Sequence, residues 1–268
     1  MRTTQTASLL PDSAALSDFL DQLKSAPASA LLLDYDGTLA PFHMDRDRAY
    51  PYPGVVPIID QLSRCRKTRV VIISGRPVSE VKQLLSSLSG IEMWGAHGLE
   101  RISTDGNYYQ GRIPQGTLEL LKPARDWVMK ADLIPLAEIK PGGIAIHWRG
   151  KAQVEVKAIE ARLMEGWAGI ARSPELKLLS FESGVELRVA HPHKGDAVES
   201  ILEESGPDAA IAYLGDDLTD EDSFRALNGR GLTVQVRPEY RPTTAARVWL
   251  RPPGELIEFL QQWLRRIQ

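Results

Sequence analysis

The sequence predicts an α/β fold in which a parallel sheet is interrupted by a smaller α+β module. Three observations carry that prediction. Short apolar runs alternate with amphipathic helical stretches over the first 95 residues. The pattern then changes to helices alternating with paired strands, roughly over 112–190. Strand–helix alternation resumes from about residue 195 to the end. Alternation of this kind implies right-handed βαβ units, and hence a parallel sheet.

The elements follow in order. Ala14–Leu23 has apolar residues at helical spacing. Ala30–Leu33 is a short buried strand running into Asp34, and Gly37 and Pro41 then turn the chain. Val55–Cys65 is a helix, Arg69–Ile73 a β-branched strand ending at Ser74-Gly75-Arg76-Pro77, Val78–Leu88 a helix and Ile91–Gly95 a strand. In the middle, Thr117–Ala131 and Val154–Trp167 are helical, while Leu136–Lys140 and Gly143–Trp148 flank a Pro-Gly-Gly turn. Leu176–Glu182 and Gly184–Val189 pair across Ser183-Gly184 as a hairpin. Afterwards Gly195–Glu204, Asp220–Leu227 and Pro253–Ile267 are helices, with strands at Ala209–Leu214, Leu232–Val236 and Arg247–Leu250. No low-complexity linker marks a boundary, so the middle module is an insertion.

Composition narrows the function. The 268 residues are 43% hydrophobic, enough for a substantial core, and carry a net charge of -3 with no basic run. A nucleic-acid partner is therefore not expected. No apolar stretch reaches the roughly 18 residues of a membrane span, so no membrane partner is expected either. No signal peptide is apparent, and the single cysteine, Cys65, forms no internal disulfide. A reducing, cytoplasmic compartment and a monomer are the default expectations.

The chemistry gathers at strand ends. Asp34-Tyr35-Asp36-Gly37-Thr38 places two carboxylates where an apolar strand stops. Taken alone, this is equally a turn closed by Asp-Gly. Gly215-Asp216-Asp217-Leu218-Thr219-Asp220 follows a second apolar strand and brings further acids to the same sheet edge, where ligands of open α/β sheets bind. An oxygen-rich cluster of that kind suits Mg²⁺. Lys194 before one helix, and Ser74-Gly75 before another, supply an ammonium, a hydroxyl and backbone N–H groups for a phosphate. Thr219 and Asp220 are assigned here to capping the next helix.

Asp34-x-Asp36-Gly37-Thr38, Ser74, Lys194 and Gly215-Asp216-Asp217 occur in the order of the four motifs of haloacid dehalogenase-like (HAD) phosphatases, which the chain resembles. The resemblance implies a Rossmann-like core of residues 1–111 and 191–268 with an α+β cap at 112–190. It is sharper for the trehalose-6-phosphate phosphatases. Gly215–Asp222, Ser74-Gly75-Arg76-Pro77 and Gly95-Ala96-His97-Gly98 are similar to stretches of that family, as are Glu138-x-Lys140 and His147-Trp148-Arg149 in the cap. The departure lies in Val189–His193, where Pro192 comes later than the family's usual proline.

The resemblance implies hydrolysis of a sugar phosphate through an aspartyl-phosphate on Asp34, with Asp36 as general acid and base. It implies Mg²⁺ on Asp34, the Asp36 carbonyl and Asp216, with Asp217 orienting a metal-bound water or Lys194. Ser74, Gly75 and Lys194 would bind phosphate. Arg76, His97, Glu138, Lys140, His147, Arg149, Glu182, Glu186 and Arg188 would contact the sugar. Alternatives at this stage are phosphatases of sucrose 6-phosphate, glucosyl- or mannosyl-phosphoglycerate or a hexose phosphate, a receiver-type phosphoacceptor, and a non-catalytic sugar-phosphate sensor.

Overall fold

A computed structural model describes residues 13–181 and 184–268. Helix α1 (Ser13–Ser25) leads into β1 (Ser29–Leu33), α2 (Val55–Arg64), β2 (Thr68–Ile73), α3 (Val78–Leu84) and β3 (Glu92–Gly95). The chain then adds β4 (Glu100–Ile102) and β5 (Tyr108–Gln110). The middle segment supplies α4 (Gln115–Glu119), α5 (Lys122–Lys130), β6 (Ala137–Lys140), β7 (Gly143–His147), α6 (Gln153–Trp167), β8 (Leu176–Phe181) and β9 (Gly184–Val189). The last part runs through α7 (Lys194–Ser205), β10 (Ala210–Gly215), α8 (Glu221–Leu227), β11 (Leu232–Val236), β12 (Val248–Leu250) and α9 (Gly254–Ile267).

The larger sheet has the order β12-β11-β10-β1-β2-β3-β4-β5. Pairing is parallel from β12 to β3 and antiparallel across β4 and β5. Its central strands are buried on both faces, as their near-continuous apolar runs require. In β1, Leu31 and Leu33 join the core shared with α1, α2, α3 and α9, whereas Ala30 and Leu32 face α7 and α8. The β1 register against β10 sets Leu33 opposite Leu214. Asp34 and Gly215-Asp216 therefore leave the sheet side by side, and the Asp34 N–H donates to the Leu214 carbonyl at 2.9 Å.

The smaller sheet, β6-β7-β9-β8, is antiparallel. One face packs Ile144, Ile146, Val185 and Leu187 against Val128, Leu163 and Trp167 of α5 and α6. Strand periodicity then puts Glu138, Lys140, His147, Glu186 and Arg188 on the opposite face. The cross-strand pairs Glu138–Ala145–Glu186 and Lys140–Gly143–Arg188 fix their rows.

Three sequence expectations change. The helix expected over Thr117–Ala131 is two helices, because Pro123 lacks an N–H and sits in the first turn of the second. The helix from Val78 ends at Leu84, before the poor helix formers Ser86 and Ser87. Strands β4 and β5 are additions: three residues each, with no buried side chain, they carry no alternating signal. Among the described residues, no helix is long and apolar enough to cross a membrane.

Candidate active site

The sheet edge gathers Asp34 from β1, Ser74-Gly75-Arg76 from β2, Lys194 from the first turn of α7, and Asp216 from β10. They line a cleft of about 120 Å³ faced on its other side by the smaller sheet.

Asp34 is 3% exposed. Lys194 Nζ lies 2.6 Å from its Oδ1, and Thr38 Oγ1 donates to Oδ2 at 3.2 Å. Lys194 also donates to Asp220 Oδ1 at 2.8 Å. Asp220, fully buried, further accepts from Tyr213 Oη at 2.6 Å and from the N–H groups of Asp216 and Asp217, each at 3.0 Å. Asp217, expected to orient a metal-bound water or Lys194, accepts from Leu218 N–H at 2.8 Å and faces Arg241 at 3.5 Å. The residue that holds Lys194 is Asp220, whose i+4 side chain folds back under the strand end rather than merely capping the next helix.

Three buried carboxylates thus share one buried ammonium. Burial, with the charge of Asp220, pushes Asp34 up to about 7, against the pull of Lys194. Burial and the neighbouring acids Asp34, Asp217 and Asp220 raise Asp216 well above the ordinary carboxylate range. Burial alone would lower Lys194, but Asp220 and Asp34 overcome it and hold the ammonium charged. Arg237 Nη1 approaches Asp216 Oδ2 at 3.9 Å from the rim, and Asp34, Asp216 and Asp220 bring carboxylate oxygens within 4.8 Å of one another. Gly37 makes room there. It is left-handed (φ 82°), and a Cβ on it would stand 2.2 Å from Asp216 Oδ2. The donor set is all oxygen and net negative, which fits a hard divalent cation. Asp220 already accepts from four donors, so Asp34 and Asp216 are the carboxylates with oxygens left to offer such a cation.

Asp36 and Arg76 form a bidentate pair, Nε–Oδ2 2.6 Å and Nη2–Oδ1 2.7 Å. Arg76 Nη1 donates to the Arg46 carbonyl at 3.0 Å. Arg76, expected to contact sugar, is thus occupied in orienting Asp36. Ser74 is buried and accepts from Arg76 N–H at 3.1 Å.

The opposite wall is a charge mosaic. Arg46 reaches from the loop after β1 to Glu138 (2.5 Å) and Glu80 (3.2 Å), and His147 Nε2 lies 2.8 Å from Glu138. Burial works against the Glu138 charge, but His147, Lys140 and Arg46 hold its carboxyl well below the usual range. Glu186 lies 3.0 Å from Lys140 and 3.3 Å from His97. His97 is buried against Gly75, where a Cβ would meet its ring at 2.6 Å. Arg149 donates to the His43 carbonyl and lies over the Phe42 ring.

All the sequence-nominated residues named so far reach the cleft, but two nominations stand apart. Arg188 lines no part of this cleft: it donates to the carbonyls of Val189 and Pro192 and faces Asp222 at 3.5 Å. Glu182 lies outside the described residues. Sequence reasoning missed Arg46, Phe42 and Phe181, which sit in loops or at a strand end with no motif, and undervalued Asp220, whose signal was its spacing four residues from Asp216.

Comparison with known proteins agrees with this geometry. The trehalose-phosphatase family profile matches residues 32–247. A trehalose-phosphate phosphatase of Mycobacterium ulcerans is 31% identical over 249 residues, covering 88% of this chain and 61% of that protein. The chain thus spans about three-fifths of that relative's length. A probable trehalose-phosphate phosphatase H of Arabidopsis thaliana is 29% identical over 250 residues, covering 87% and 70%. Among solved structures, the C-terminal domain of a trehalose-6-phosphate phosphatase from C. albicans superposes with a TM-score of 0.80 at 20% identity, over 97% of this chain and 99% of that one. A haloacid dehalogenase-like hydrolase from B. subtilis shares the fold at a TM-score of 0.60 and 14% identity, over 87% and 99%.

Proposed function

Because this chain belongs to the trehalose-phosphatase family, we propose that it hydrolyses trehalose 6-phosphate to trehalose and phosphate. The observation that carries the proposal is the buried Asp34 carboxylate, held by Lys194 at the floor of a cleft whose far wall is lined with paired acids and bases. The four motifs support a phosphatase, and the family relationship supports the sugar.

Asp34, the Asp36 backbone carbonyl and Asp216 would hold Mg²⁺, which supplies charge neutralisation at the phosphoryl oxygens. The chain's own groups do the rest. Lys194, Ser74 and the Gly75 backbone bind and orient the phosphate. Asp34 attacks phosphorus, the bond from phosphorus to the sugar oxygen breaks, and Asp36 gives that oxygen its proton. A water then attacks the aspartyl-phosphate, Asp36 takes its proton, and phosphate leaves Asp34 as a free carboxylate. Arg76 orients Asp36 between these steps. We assign residues 112–190 as the cap, with Glu138, Lys140, His147, Arg149 and Glu186 offering the alternating donors and acceptors that sugar hydroxyls need. Closing this wall over the cleft would exclude bulk water. The reading includes a cytoplasmic, monomeric enzyme.

The test is phosphate release from a panel: trehalose 6-phosphate, sucrose 6-phosphate, glucosyl-phosphoglycerate and glucose 6-phosphate, each with and without Mg²⁺. The expected outcome is the highest kcat/KM for trehalose 6-phosphate, and loss of activity on chelation that Mg²⁺ restores. A better rate on another sugar phosphate would overturn the substrate assignment and leave the reaction class standing. No release from any of them would overturn both.

A further inference from the structure

A second cluster of metal-ligating side chains lies at the start of α7, outside the groups used above. His191, His193 and Asp196 each offer a ligand atom, all within 4.8 Å of one another. We infer that His191, His193 and Asp196 form a binding site for a transition-metal dication of the zinc class. This inference does not depend on the phosphatase reading.

The donor set favours zinc. Two imidazoles and a carboxylate suit Zn²⁺, whereas Mg²⁺ prefers oxygen alone. The spacing fits as well. A tetrahedral zinc with bonds of roughly 2.0–2.1 Å separates neighbouring ligand atoms by about 3.3 Å. His191 Nδ1 lies 3.0 Å from Asp196 Oδ2, and His193 Nδ1 lies 3.7 Å from the same oxygen. The two rings lie with centroids 4.5 Å apart.

Two of the three ligands are already positioned. The His193 ring rests on Gly195, where a Cβ would stand 2.9 Å from Cε1 and 3.0 Å from Nδ1. The backbone before it is anchored by Arg188 Nη1, which donates to the Pro192 carbonyl at 3.3 Å. Asp196 is aimed by the His193 N–H, which donates to Oδ2 at 2.7 Å. An outer hydrogen bond of this kind orients a ligating carboxylate. His193 Nδ1 accepts from the Asp196 N–H at 3.2 Å, but that N–H also donates to the His193 carbonyl at 3.0 Å. Nδ1 can therefore be given to a metal without stranding a buried donor. His191, with 70% of its side chain exposed, turns its Nδ1 to the same carboxylate at 3.0 and 3.1 Å. A dication would take the place of the hydrogen bond between these two groups. Its consequence is local: residues 191–196, which carry Lys194, become one chelate ring system.

Equilibrium dialysis against Zn²⁺ in excess Mg²⁺, followed by metal analysis and thermal unfolding, tests the site. Wild type and Asp216→Asn are expected to retain one Zn²⁺ per chain and to melt at a higher temperature with it. Asp216→Asn controls for zinc in the oxygen cluster of the cleft. His191→Ala and His193→Asn are expected to lose that equivalent and the melting shift. His193→Asn keeps a side-chain acceptor at the helix N-cap, so its folding is preserved. Retention of the zinc equivalent by both ring variants, or no zinc retained by wild type, would overturn the inference.

Discussion

At the scale of single residues, the account rests on how one ammonium is divided among three acids. Lys194 bridges Asp34 and Asp220, and Tyr213 fastens Asp220 from the other side. Asp220→Ala leaves Lys194 paired with Asp34 but strands the buried Tyr213 hydroxyl and the N–H groups of Asp216 and Asp217, and urea unfolding should show a loss of about 3 kcal/mol. Asp217→Ala removes the contact to Leu218 N–H and the Arg241 pair at 3.5 Å at a partly exposed cap, and should cost about 1 kcal/mol, as for other caps. Equal losses would contradict the role given to Asp220. His97 gives a pH test. Burial, only partly opposed by Glu186, lowers its imidazole to about 4 from an ordinary 6.5. Between those values the unfolded chain binds a proton that the folded chain does not. Stability is thus retained above pH 6.5 and falls toward pH 4, by about 3 kcal/mol over the whole window. His97→Gln should flatten this part of the profile, and an unchanged slope would show that His97 is not its source. Asp34, Asp36, Ser74, Lys194 and Asp216 were legible in the sequence because each sits next to a strand end or helix start. The Asp220–Lys194 and Arg76–Asp36 pairs were not legible, because their partners lie 26 and 40 positions apart in the chain.

At the scale of elements, the turn after β1 is the most constrained piece of the site. Gly37 adopts φ 82° with the Asp216 carboxylate 2.2–2.8 Å from where a Cβ would be. Gly37→Ala should lower kcat by on the order of 10²-fold, the cost of displacing a catalytic group by about 1 Å. Far-UV circular dichroism should stay unchanged; wild-type kinetics would show that the turn tolerates a side chain. In the smaller sheet, Glu138→Gln weakens the bonds from Arg46 and His147 and, by the proposed role, a sugar contact. KM should rise roughly tenfold, the worth of one charge-assisted hydrogen bond, with kcat changing less. A fall in kcat at constant KM would place Glu138 in the chemistry instead. The parallel strands and the hairpins were readable from apolar runs bounded by turn residues. The face that Glu138, Lys140 and His147 share was readable from period-2 alternation. Strands β4 and β5 were not, because sheet-edge strands with exposed Tyr108 and Tyr109 have no buried face to mark them.

At the scale of the whole molecule, the two sheets meet through ion pairs at the rim of the cleft. Arg46 pairs with Glu138 on one side, and Lys177 holds Asp222 at 2.7 and 2.8 Å on another. Opening the cleft means breaking these pairs, and substrate bound between the walls would oppose it. Small-angle scattering should therefore give a smaller radius of gyration with a non-hydrolysable trehalose phosphate analogue than without it; identical curves would remove cap closure from the account. The insertion of the second module was visible in the sequence as a change of rhythm between about 112 and 190. Which of its residues turn inward was not, and Arg188 shows why. It shares the face of its sheet turned toward the larger sheet with Glu186, yet its length carries it to Asp222 and away from the cleft. The central claim is that the Asp34 carboxylate is the nucleophile that takes the phosphoryl group in the first step. It is tested most directly by acid-quenching the enzyme within one turnover of phosphate-labelled trehalose 6-phosphate and mapping the label. The account predicts label on the peptide containing Asp34 in wild type and none in Asp34→Asn. Rapid phosphate release with no labelled peptide in wild type would contradict it.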